Sequence, residues 1–599
     1  MSGSGRGIGP PTRVRAAATA LALAAGLLVT AAPPQACAAK APREPAGAQK
    51  AAAPAPAVDP VRRAWSEARR LADAARYDSS LAVLRDALGR NGDNVELRWL
   101  EAGVTGEAGR HRESVALYER LAADHPEIAR DLHGDLATQR LWAGDPAGAV
   151  GEFDVWLTAN PNDRDARGLR ALALAQADRL RESLTAYDSL LSDTPDDANL
   201  ALERARVLAW MGRHDDAIAA YRAVLERDSC NAAARLGLAM NENWAGRHRR
   251  AAQQLESIAK EPDADPEAMK ALAFARYWDG DAAGARSALD DYLARAPGDR
   301  EGRDLALRLE RESSPSLRFA HERTDDTAGL RVETTAMELR WPASATTTLL
   351  LGWRRDNVRD AGGTRDPLQL TAGVEHGWSP VWSGHGSFTH IDWGDSGGTP
   401  NGGELGLTWR PADRARFDAA VAREPVMTRR SLQLGISLLT WVAAADFVAN
   451  ERLDLHAAAR AGLFSDDNRS NRLSGSARLE VFADPRGELH ATLAFEHLDT
   501  RFDPGHGYYA PGFYQEWGPG VEAEWRPQPD WTLGFTSQVG WQRERDADDQ
   551  SFYSIAGRAE VIIDRVWTLE LEAGRSNSNL QSDTGYERRR WQAALTRGF

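Results

Sequence analysis

The chain of 599 residues is poor in cysteine, has no excess of positive charge and carries no long apolar run beyond residue 32. Its formal net charge of −14 argues against a nucleic-acid partner, because binding to the phosphate backbone requires a basic face. A membrane-spanning helix needs about 20 consecutive apolar residues, so none is expected after residue 32. Nucleic-acid binding and anchoring by a helix are therefore both disfavoured.

The N-terminal segment has the order of a secretory signal peptide. Basic residues precede an apolar stretch at 16–32, and small residues flank Cys37 at the expected cleavage site, so residues 1–38 are predicted to be removed. A lipid anchor on Cys37 is disfavoured, because the residues before it lack the usual leucine. Cys230 then has no partner, which excludes a disulfide in the mature chain. Residues 39–60, rich in alanine and proline, are predicted to be a flexible or extended linker.

Residues 61–312 repeat with a period of 34, with one spacing of 35. A small residue recurs seven times, and a large apolar residue follows it four positions later. The small residues are Ser80, Ser114, Ala149, Ser183, Ala217, Ala251 and Ala285, and the large ones are Leu84, Tyr118, Phe153, Tyr187, Tyr221, Leu255 and Leu289. This pattern resembles the tetratricopeptide repeat (TPR). The resemblance implies an α-helical solenoid of about seven helix pairs, in which each pair buries its apolar face only against its neighbours.

Four tryptophans occupy one position of this repeat, two residues before a glycine at the predicted end of a first helix. They are Trp142, Trp210, Trp244 and Trp278. Packing between repeats is the favoured interpretation. The alternative is a platform for stacking sugar rings in the TPR groove.

From about residue 315 the apolar period changes to two. In "WTLGFTSQVGWQ" (531–542), for example, apolar and polar residues alternate, as in a strand with one apolar and one polar face. About sixteen such strands are predicted, joined by seven tight turns and eight longer loops. Six of the longer loops are evident as polar segments such as "DWGDSGGTPNGG". Short turns alternating with long loops are typical of outer-membrane barrels. The sequence therefore predicts an antiparallel transmembrane β-barrel over residues 315–599.

Aromatic residues support this prediction. Seven tryptophans flank the tight turns and four fall near the longer loops, as two girdles at the membrane interfaces would require. The first set is Trp341, Trp378, Trp382, Trp409, Trp525, Trp531 and Trp567, and the second is Trp353, Trp393, Trp517 and Trp541. Phe599 ends an alternating strand and resembles the signal read by the outer-membrane barrel assembly machinery. A soluble β-sandwich would not require these features together.

Polar side chains on the alternate positions are predicted to line the barrel lumen. They are Glu480, Glu522, Glu524, Arg526, Arg558, Glu560, Glu570 and Glu572. Residues 315–599 hold 31 Arg, no Lys and 40 Asp or Glu, a net charge of −9. This acidic bias suits a partly deacetylated, cationic glycan, although any barrel lumen carries mixed charge. The aromatic residues of the longest loop could stack on sugar, fold inward as a lid or simply pack within the loop: Tyr508, Tyr509, Phe513 and Tyr514.

The stretch "GDSGG" (394–398) matches the segment that carries the nucleophile of trypsin-like proteases. Ser396 lacks the cysteine expected just before it and a histidine in the expected upstream context, so a loop of turn-forming residues is favoured. No zinc-protease, nucleotide-binding or paired-cysteine motif accompanies it. No catalytic residue, metal site or cofactor is predicted.

TPR repeats followed by a barrel resemble the outer-membrane exporters of bacterial exopolysaccharide, of the poly-N-acetylglucosamine export porin and cellulose export protein type. The resemblance covers residues 62–599 in architecture and includes "GLFSDDNR" followed by "HGYYAPGFY". It implies a Gram-negative cell, a biofilm polysaccharide as cargo, a barrel in outer-membrane lipid and periplasmic repeats that bind proteins or guide the polymer. The alternatives are a barrel that only anchors a periplasmic TPR scaffold and, less favoured, an outer-membrane hydrolase.

Overall fold

The computed structural model describes residues 59–599, apart from a few short segments. The gaps are 262–263, 395–397, 399–400, 451, 485, 546–547, 565 and 580–586. The predicted signal peptide and most of the predicted linker lie outside the described residues. The described residues divide into two compact units between Gly237 and Leu238.

Fifteen helices of 12 to 14 residues precede the first strand in the described part of the chain. They are α1 (Pro60–Asp73), α2 (Tyr77–Arg90), α3 (Val95–Glu107), α4 (His111–Asp124), α5 (Ala129–Trp142), α6 (Pro146–Ala159), α7 (Arg164–Gln176), α8 (Leu180–Asp193), α9 (Ala198–Trp210), α10 (His214–Arg227), α11 (Ala232–Trp244), α12 (His248–Ala259), α13 (Pro266–Asp279), α14 (Ala282–Arg295) and α15 (Arg300–Glu312). None of the described helices is long and apolar enough to cross a membrane.

The repeated small residues lie where the second helix of a pair meets the first, and all seven are fully buried. Where the small residue is serine, its hydroxyl donates to the carbonyl of the residue twelve positions earlier. These bonds run from Ser80 to Ala68 at 2.7 Å, from Ser114 to Ala102 at 2.6 Å and from Ser183 to Ala171 at 2.7 Å. The large residue four positions later is also buried in every repeat. The helical-repeat fold predicted from the sequence is confirmed.

Most helix starts differ between the two helices of a pair, although α5 lacks a side-chain cap and Asp145 and Asp281 cap the second helices α6 and α14. Six of the first helices begin with an Asp or Asn whose side chain accepts a bond from the first turn, as a good N-cap does: Asp59, Asn94, Asp163, Asp197, Asp265 and Asp299. Five of the second helices begin after an arginine that makes no such bond: Arg76, Arg110, Arg179, Arg213 and Arg247. The second helices therefore depend more on packing, or on caps from elsewhere.

Residues from Ser316 onward form one closed antiparallel sheet. Within the described residues it has sixteen long strands and one strand of three residues, β4. They are β1 (Ser316–Asp326), β2 (Arg331–Ser344), β3 (Thr347–Asp360), β4 (Gly363–Arg365), β5 (Leu368–Gly377), β6 (Trp382–Asp392), β7 (Asn401–Ala412), β8 (Ala415–Pro425), β9 (Ser437–Asn450), β10 (Leu453–Phe464), β11 (Arg469–Asp484), β12 (Gly487–Thr500), β13 (Tyr514–Gln528), β14 (Trp531–Glu544), β15 (Gln550–Ile562), β16 (Trp567–Ser576) and β17 (Arg588–Gly598). Each long strand pairs with its chain neighbours, and β1 also pairs with β17 from Ser316↔Gly598 to Asp326↔Arg588. The predicted barrel of about sixteen strands is confirmed.

The two faces of the sheet differ as the sequence pattern requires. In β16, Leu571 is exposed on one face, while Glu570 and Glu572 point to the other and form ion pairs there. The same alternation leaves at least one large apolar side chain exposed on every long strand, and two or more on all of them except β1, β8, β15, β16 and β17. A closed antiparallel barrel with an apolar outer face is the form that outer-membrane proteins take.

The connections between the long strands alternate in length around the barrel. The short ones are residues 345–346, 378–381, 413–414, 451–452, 485–486, 529–530 and 563–566. The others are 327–330, 361–367, 393–400, 426–436, 465–468, 501–513, 545–549 and 577–587. The segment 426–436 carries a helix, α16 (Arg429–Gln433), which the sequence pattern did not predict.

Most of the predicted girdle tryptophans are exposed on the outer face, but Trp393 is not. Its side chain is 6% exposed and packs in a cluster with Ile391 and Leu432. The assignment of Trp393 to an aromatic girdle is therefore wrong, because its ring packs against Leu432 of the helix α16 instead of the membrane interface. Trp341 and Trp378, beside short turns, have more than half of their surface exposed.

An acidic residue near the end of α13 is buried against a guanidinium. Asp279 lies 3.2 Å from the Arg249 side chain, and the carboxyl side chain is 11% exposed. Burial raises the pKa of Asp279 to about 6, and the attraction of Arg249 opposes this rise without cancelling it. An unfolded Asp titrates near 3.9.

This difference predicts a pH dependence. Between about pH 4 and pH 6 the folded chain holds a proton on Asp279 that the unfolded chain has lost, so the folded state should lose stability as the pH rises across this interval, by on the order of 2 kcal/mol. Asp279→Asn should remove this component. Denaturant unfolding of the helices, followed by circular dichroism in detergent, measures it. Parallel pH profiles for the parent and the Asn variant would contradict the prediction.

Candidate functional site: the barrel interior and its mouth

The eight acidic and arginine residues predicted to line the lumen all occupy positions opposite the exposed apolar face. Several of them pair across strands. Glu524 binds both Arg526 and Arg558, the latter at 2.7 Å. The remaining pairs are Arg478–Glu522 at 2.9 Å, Arg318–Glu570 at 3.0 Å and Glu572–Arg590 at 3.7 Å. Glu480 and Glu560 lie on the same face of β11 and β15. Their role in lining a pore stays a prediction.

Further ion pairs continue this face around the barrel, and the sequence analysis did not single them out. They are Arg340–Glu375 at 2.9 Å, Arg354–Asp356 at 2.9 Å, His385–Glu404 at 3.2 Å, Arg416–Asp418 at 2.8 Å and Arg472–Glu496. Pairing satisfies most of these charges locally. Within the described residues the inner face is therefore largely polar, and many of its charges have a partner on the same face.

Asp356 is the most enclosed member of this face. Its side chain is 0% exposed and accepts bonds from Arg354 Nε at 2.9 Å, from Thr334 Oγ1 at 2.6 Å and from Gln369 Nε2 at 3.1 Å. The three donors come from β3, β2 and β5. The carboxylate therefore ties three neighbouring strands together from inside the barrel.

The helix α16 lies against the inner wall at the long-loop end of the barrel. Leu432 from this helix is 2% exposed and packs with Val332, Val358 and Ile391. These three residues alternate with outward-facing positions on β2, β3 and β6, so they point inward. Since the segment 426–436 connects β8 to β9, it reaches several strands away from its own origin. It therefore occupies part of the mouth of the barrel.

A second loop packs on this helix. The Ser431 hydroxyl donates to the His506 carbonyl at 3.0 Å, and Tyr508 stacks on Phe464 with ring centroids 4.3 Å apart. Tyr508 also bonds to Asp466, at 2.9 Å. The segment 501–513 thus links α16 to the loop between β10 and β11.

The same loop is also held on its other side. The Tyr509 hydroxyl donates to Glu544, which also accepts a bond from Asn579 Nδ2 at 2.5 Å. The Tyr514 hydroxyl bonds to Glu516 at 2.9 Å and to Gln542 at 2.8 Å. Described residues of four connections, in the ranges 426–436, 465–468, 501–513 and 577–579, thereby share one network at the mouth.

This network accounts for the predicted loop aromatics. Tyr508 and Tyr514 are buried, while Tyr509 and Phe513 are half-buried, and Phe513 contacts the His497 ring at 5.3 Å. In this arrangement Tyr508 and Tyr514 pack against neighbouring loop and strand residues, and a role in sugar binding stays a prediction for all four aromatic residues. Burial also raises the pKa of Tyr509, whose hydroxyl lies beside Glu544.

The four repeat tryptophans lie at the C-terminal ends of their helices. Trp142, Trp210 and Trp244 are the last residues of α5, α9 and α11, and Trp278 lies one residue before the end of α13. Trp210 packs against a core cluster that includes Tyr187, and Trp278 contacts His248 and Phe274 with ring centroids 5.4 Å apart. Trp142 is the most exposed, at 45%. A role in sugar stacking stays a prediction for all four.

The repeats of the first unit also form a cleft of about 410 Å³ between α6, α7 and α8. Its walls include Arg167 and Arg170, which pair with Asp193 at 3.1 Å and with Asp154 at 2.6 Å. The cleft is therefore lined in part by paired charge.

The helix α16 is the main feature that sequence reasoning missed. Its signals are Thr428, whose hydroxyl accepts a bond from the Ser431 amide at 3.2 Å, and the apolar residues Met427 and Leu432. A loop that carries buried apolar side chains is unlike the polar loops around it. Ser396 lies outside the described residues. Among the residues that are described, no group of three or more His, Cys, Asp or Glu could hold a metal ion.

No family model matches the chain. No curated protein matches it either. Among solved structures, a "bacterial polysaccharide outer membrane secretin" is 16% identical, and the match covers 48% of this chain and 99% of that one with a TM-score of 0.42. A tetratricopeptide repeat protein from Parabacteroides merdae is 15% identical over 42% of this chain and 98% of that one, with a TM-score of 0.37. The TPR protein YrrB is 18% identical over 29% and 90%, with a TM-score of 0.25. These likenesses are remote, and the fold rests on the helices and strands described above.

Proposed function

We propose that the protein is an outer-membrane export porin for a secreted polysaccharide, and that its TPR repeats lie in the periplasm. The observation that carries the proposal is the inner face of the barrel, which carries charged side chains on most strands, many of them paired with one another. Sixteen strands enclose a lumen wide enough for water. A hydrated polymer can slide along such a wall, because the wall offers hydrogen bonds without deep binding sites.

The remaining assignments follow from this proposal. Residues 1–38 would direct secretion, residues 61–312 would form the periplasmic TPR domain and residues 315–599 would form the barrel. Phe599 would be read by the barrel assembly machinery. The repeats would bind periplasmic proteins or guide the polymer. The net charge of −9 over residues 315–599 favours a cationic glycan over an anionic one.

Two measurements test the proposal together. Secreted polysaccharide should be lost when the gene is deleted and restored by the full chain. The purified protein in a planar bilayer should conduct ions, and added polysaccharide of the same strain should block the current from one side. Normal matrix secretion by the deletion strain would overturn the proposal.

A second function is favoured by one observation, the shared loop network over the mouth. A barrel sealed by this network would only anchor a periplasmic TPR scaffold. The scaffold predicts no conductance under any voltage and a tight protein partner for the repeats. Conductance that polysaccharide blocks would exclude it.

A further inference from the structure

The helix α12 receives its N-terminal cap from the barrel. Its own N-cap residue, Arg247, makes no side-chain bond to the helix. The Asp413 carboxylate, in the turn between β7 and β8, instead accepts bonds from the backbone amide of Arg249 at 2.9 Å and from that of Arg250 at 3.4 Å. These amides are the second and third of the helix, which are the ones that an N-cap side chain usually satisfies.

The Arg249 side chain makes a second set of bonds to the barrel. Its guanidinium donates to the Arg410 carbonyl at 2.9 Å and to the Pro380 carbonyl at 2.9 Å. These carbonyls belong to the end of β7 and to the turn between β5 and β6. The same guanidinium pairs with Asp279 at the end of α13. One side chain thus joins two barrel turns to two helices.

We propose that Asp413 and Arg249 form a joint that fixes α12 and α13 to the barrel rim, so that this part of the repeats and the barrel move as one body. Asp413 provides acceptors for α12, and Arg249 provides donors for the barrel turns. The carboxylate satisfies amides that the helix sequence leaves open, and the guanidinium satisfies carbonyls at the end of the sheet.

Arginine stands at this position of the repeat in Arg112, Arg181 and Arg249, and among these the structure gives only Arg249 bonds to the barrel turns in the described residues. The preceding repeat carries Asp215 at the position that corresponds to Arg249, 34 residues earlier. A carboxylate there would repel Asp413 and could not donate to the turn carbonyls. A close contact nearby suits the same arrangement: Gly280 ends α13 with a φ of 86°, and a Cβ at this position would lie 3.5 Å from the Arg410 guanidinium.

The joint does not depend on the proposed export function, because it describes only how α12 and α13 are attached to the barrel. If export is the function, the joint would keep the end of the repeat array at one place on the rim, beside β5 to β8. A polymer leaving the repeats would then meet the lumen at a constant position.

Pulsed electron spin resonance on the full-length protein in detergent tests the joint. Cys230, the one native cysteine beyond residue 38, is replaced by serine, and labels are placed at Ser257→Cys on α12 and Ala345→Cys in the turn between β2 and β3, both exposed positions. The parent should give a single narrow distance. Asp413→Ala combined with Arg249→Gln should broaden it or add a second, longer distance. An unchanged narrow distance in the double variant would overturn the proposal.

Two further variants separate loss of the joint from loss of folding. Asp413→Asn keeps an oxygen that can cap the helix and should keep the narrow distance. Asp530→Ala removes an exposed carboxylate from the turn between β13 and β14 and should also keep it. Amide exchange gives an independent readout: the amides of Arg249 and Arg250 should exchange about fivefold faster in Asp413→Ala, as expected for loss of one N-cap. Equal exchange rates in the parent and in Asp413→Ala would also count against the joint.

Discussion

Leu432→Asp is expected to raise the conductance of the barrel in a planar bilayer by about two- to threefold. Leu432 is the side chain by which α16 packs on the inward-facing Val332, Val358 and Ile391. A carboxylate in that apolar cluster would be desolvated without a partner, so the helix would leave the wall. The mouth would then be open to ions where the segment 426–436 had filled it.

Leu434→Asp is the matched control. Leu434 follows the same helix by one residue, but its side chain is 49% exposed, against 2% for Leu432. An aspartate there stays in water and should leave the conductance unchanged. Equal conductance for the parent and Leu432→Asp, with both barrels folded by heat-modifiable mobility in gels, would show that α16 does not limit the pore.

Asp356→Ala is expected to destabilise the barrel by about 3 kcal/mol, measured as denaturant unfolding in detergent. The substitution leaves the half-buried Arg354 guanidinium without its carboxylate, and it removes the acceptor of Thr334 and Gln369. Removing the fully buried member of such a group costs more than its bonds contributed, because the donors left behind lose their acceptor in a partly dry site.

Glu338→Ala provides the comparison. Glu338 also points to the interior, from β2, but its side chain is exposed. Its loss should change the unfolding free energy by less than about 0.5 kcal/mol. If both substitutions had the same small effect, water would reach Asp356 freely and the strands β2, β3 and β5 would not depend on it.

The sequence sufficed to predict the repeats and the strands, because both are periodic. The small residues at Ser80 and Ser114, and the alternation around Leu571, each repeat a local rule that one physical requirement imposes many times. Because each rule recurs many times, the repeats and the strands can be recognised from the sequence even where a single copy is ambiguous. The packing of Tyr187 and the pairing of β1 with β17 then follow from the period and from closure.

The mouth could not be predicted in the same way. Leu432 and Val332 are a hundred residues apart and meet because one loop folds across the barrel. Nothing in the local pattern indicates that meeting, and the same reasoning failed for Trp393, which was assigned to an aromatic girdle and lies buried instead. The ion pairs of the inner face were predictable only in part. The alternation predicts the face on which each residue lies, whereas the partner of each residue depends on strand register.

The pairing of β1 with β17 imposes an order on biogenesis. The barrel cannot close until β17 has been made, because the free edge of β1 pairs with β17, the last strand of the chain. A chain that ends before Arg588 would leave β1 and β16 as edge strands, whose backbone amides and carbonyls have no hydrogen-bond partner in lipid. Nascent chains must therefore be shielded until translocation ends, and nonsense mutations late in the gene should yield degraded protein rather than a smaller channel.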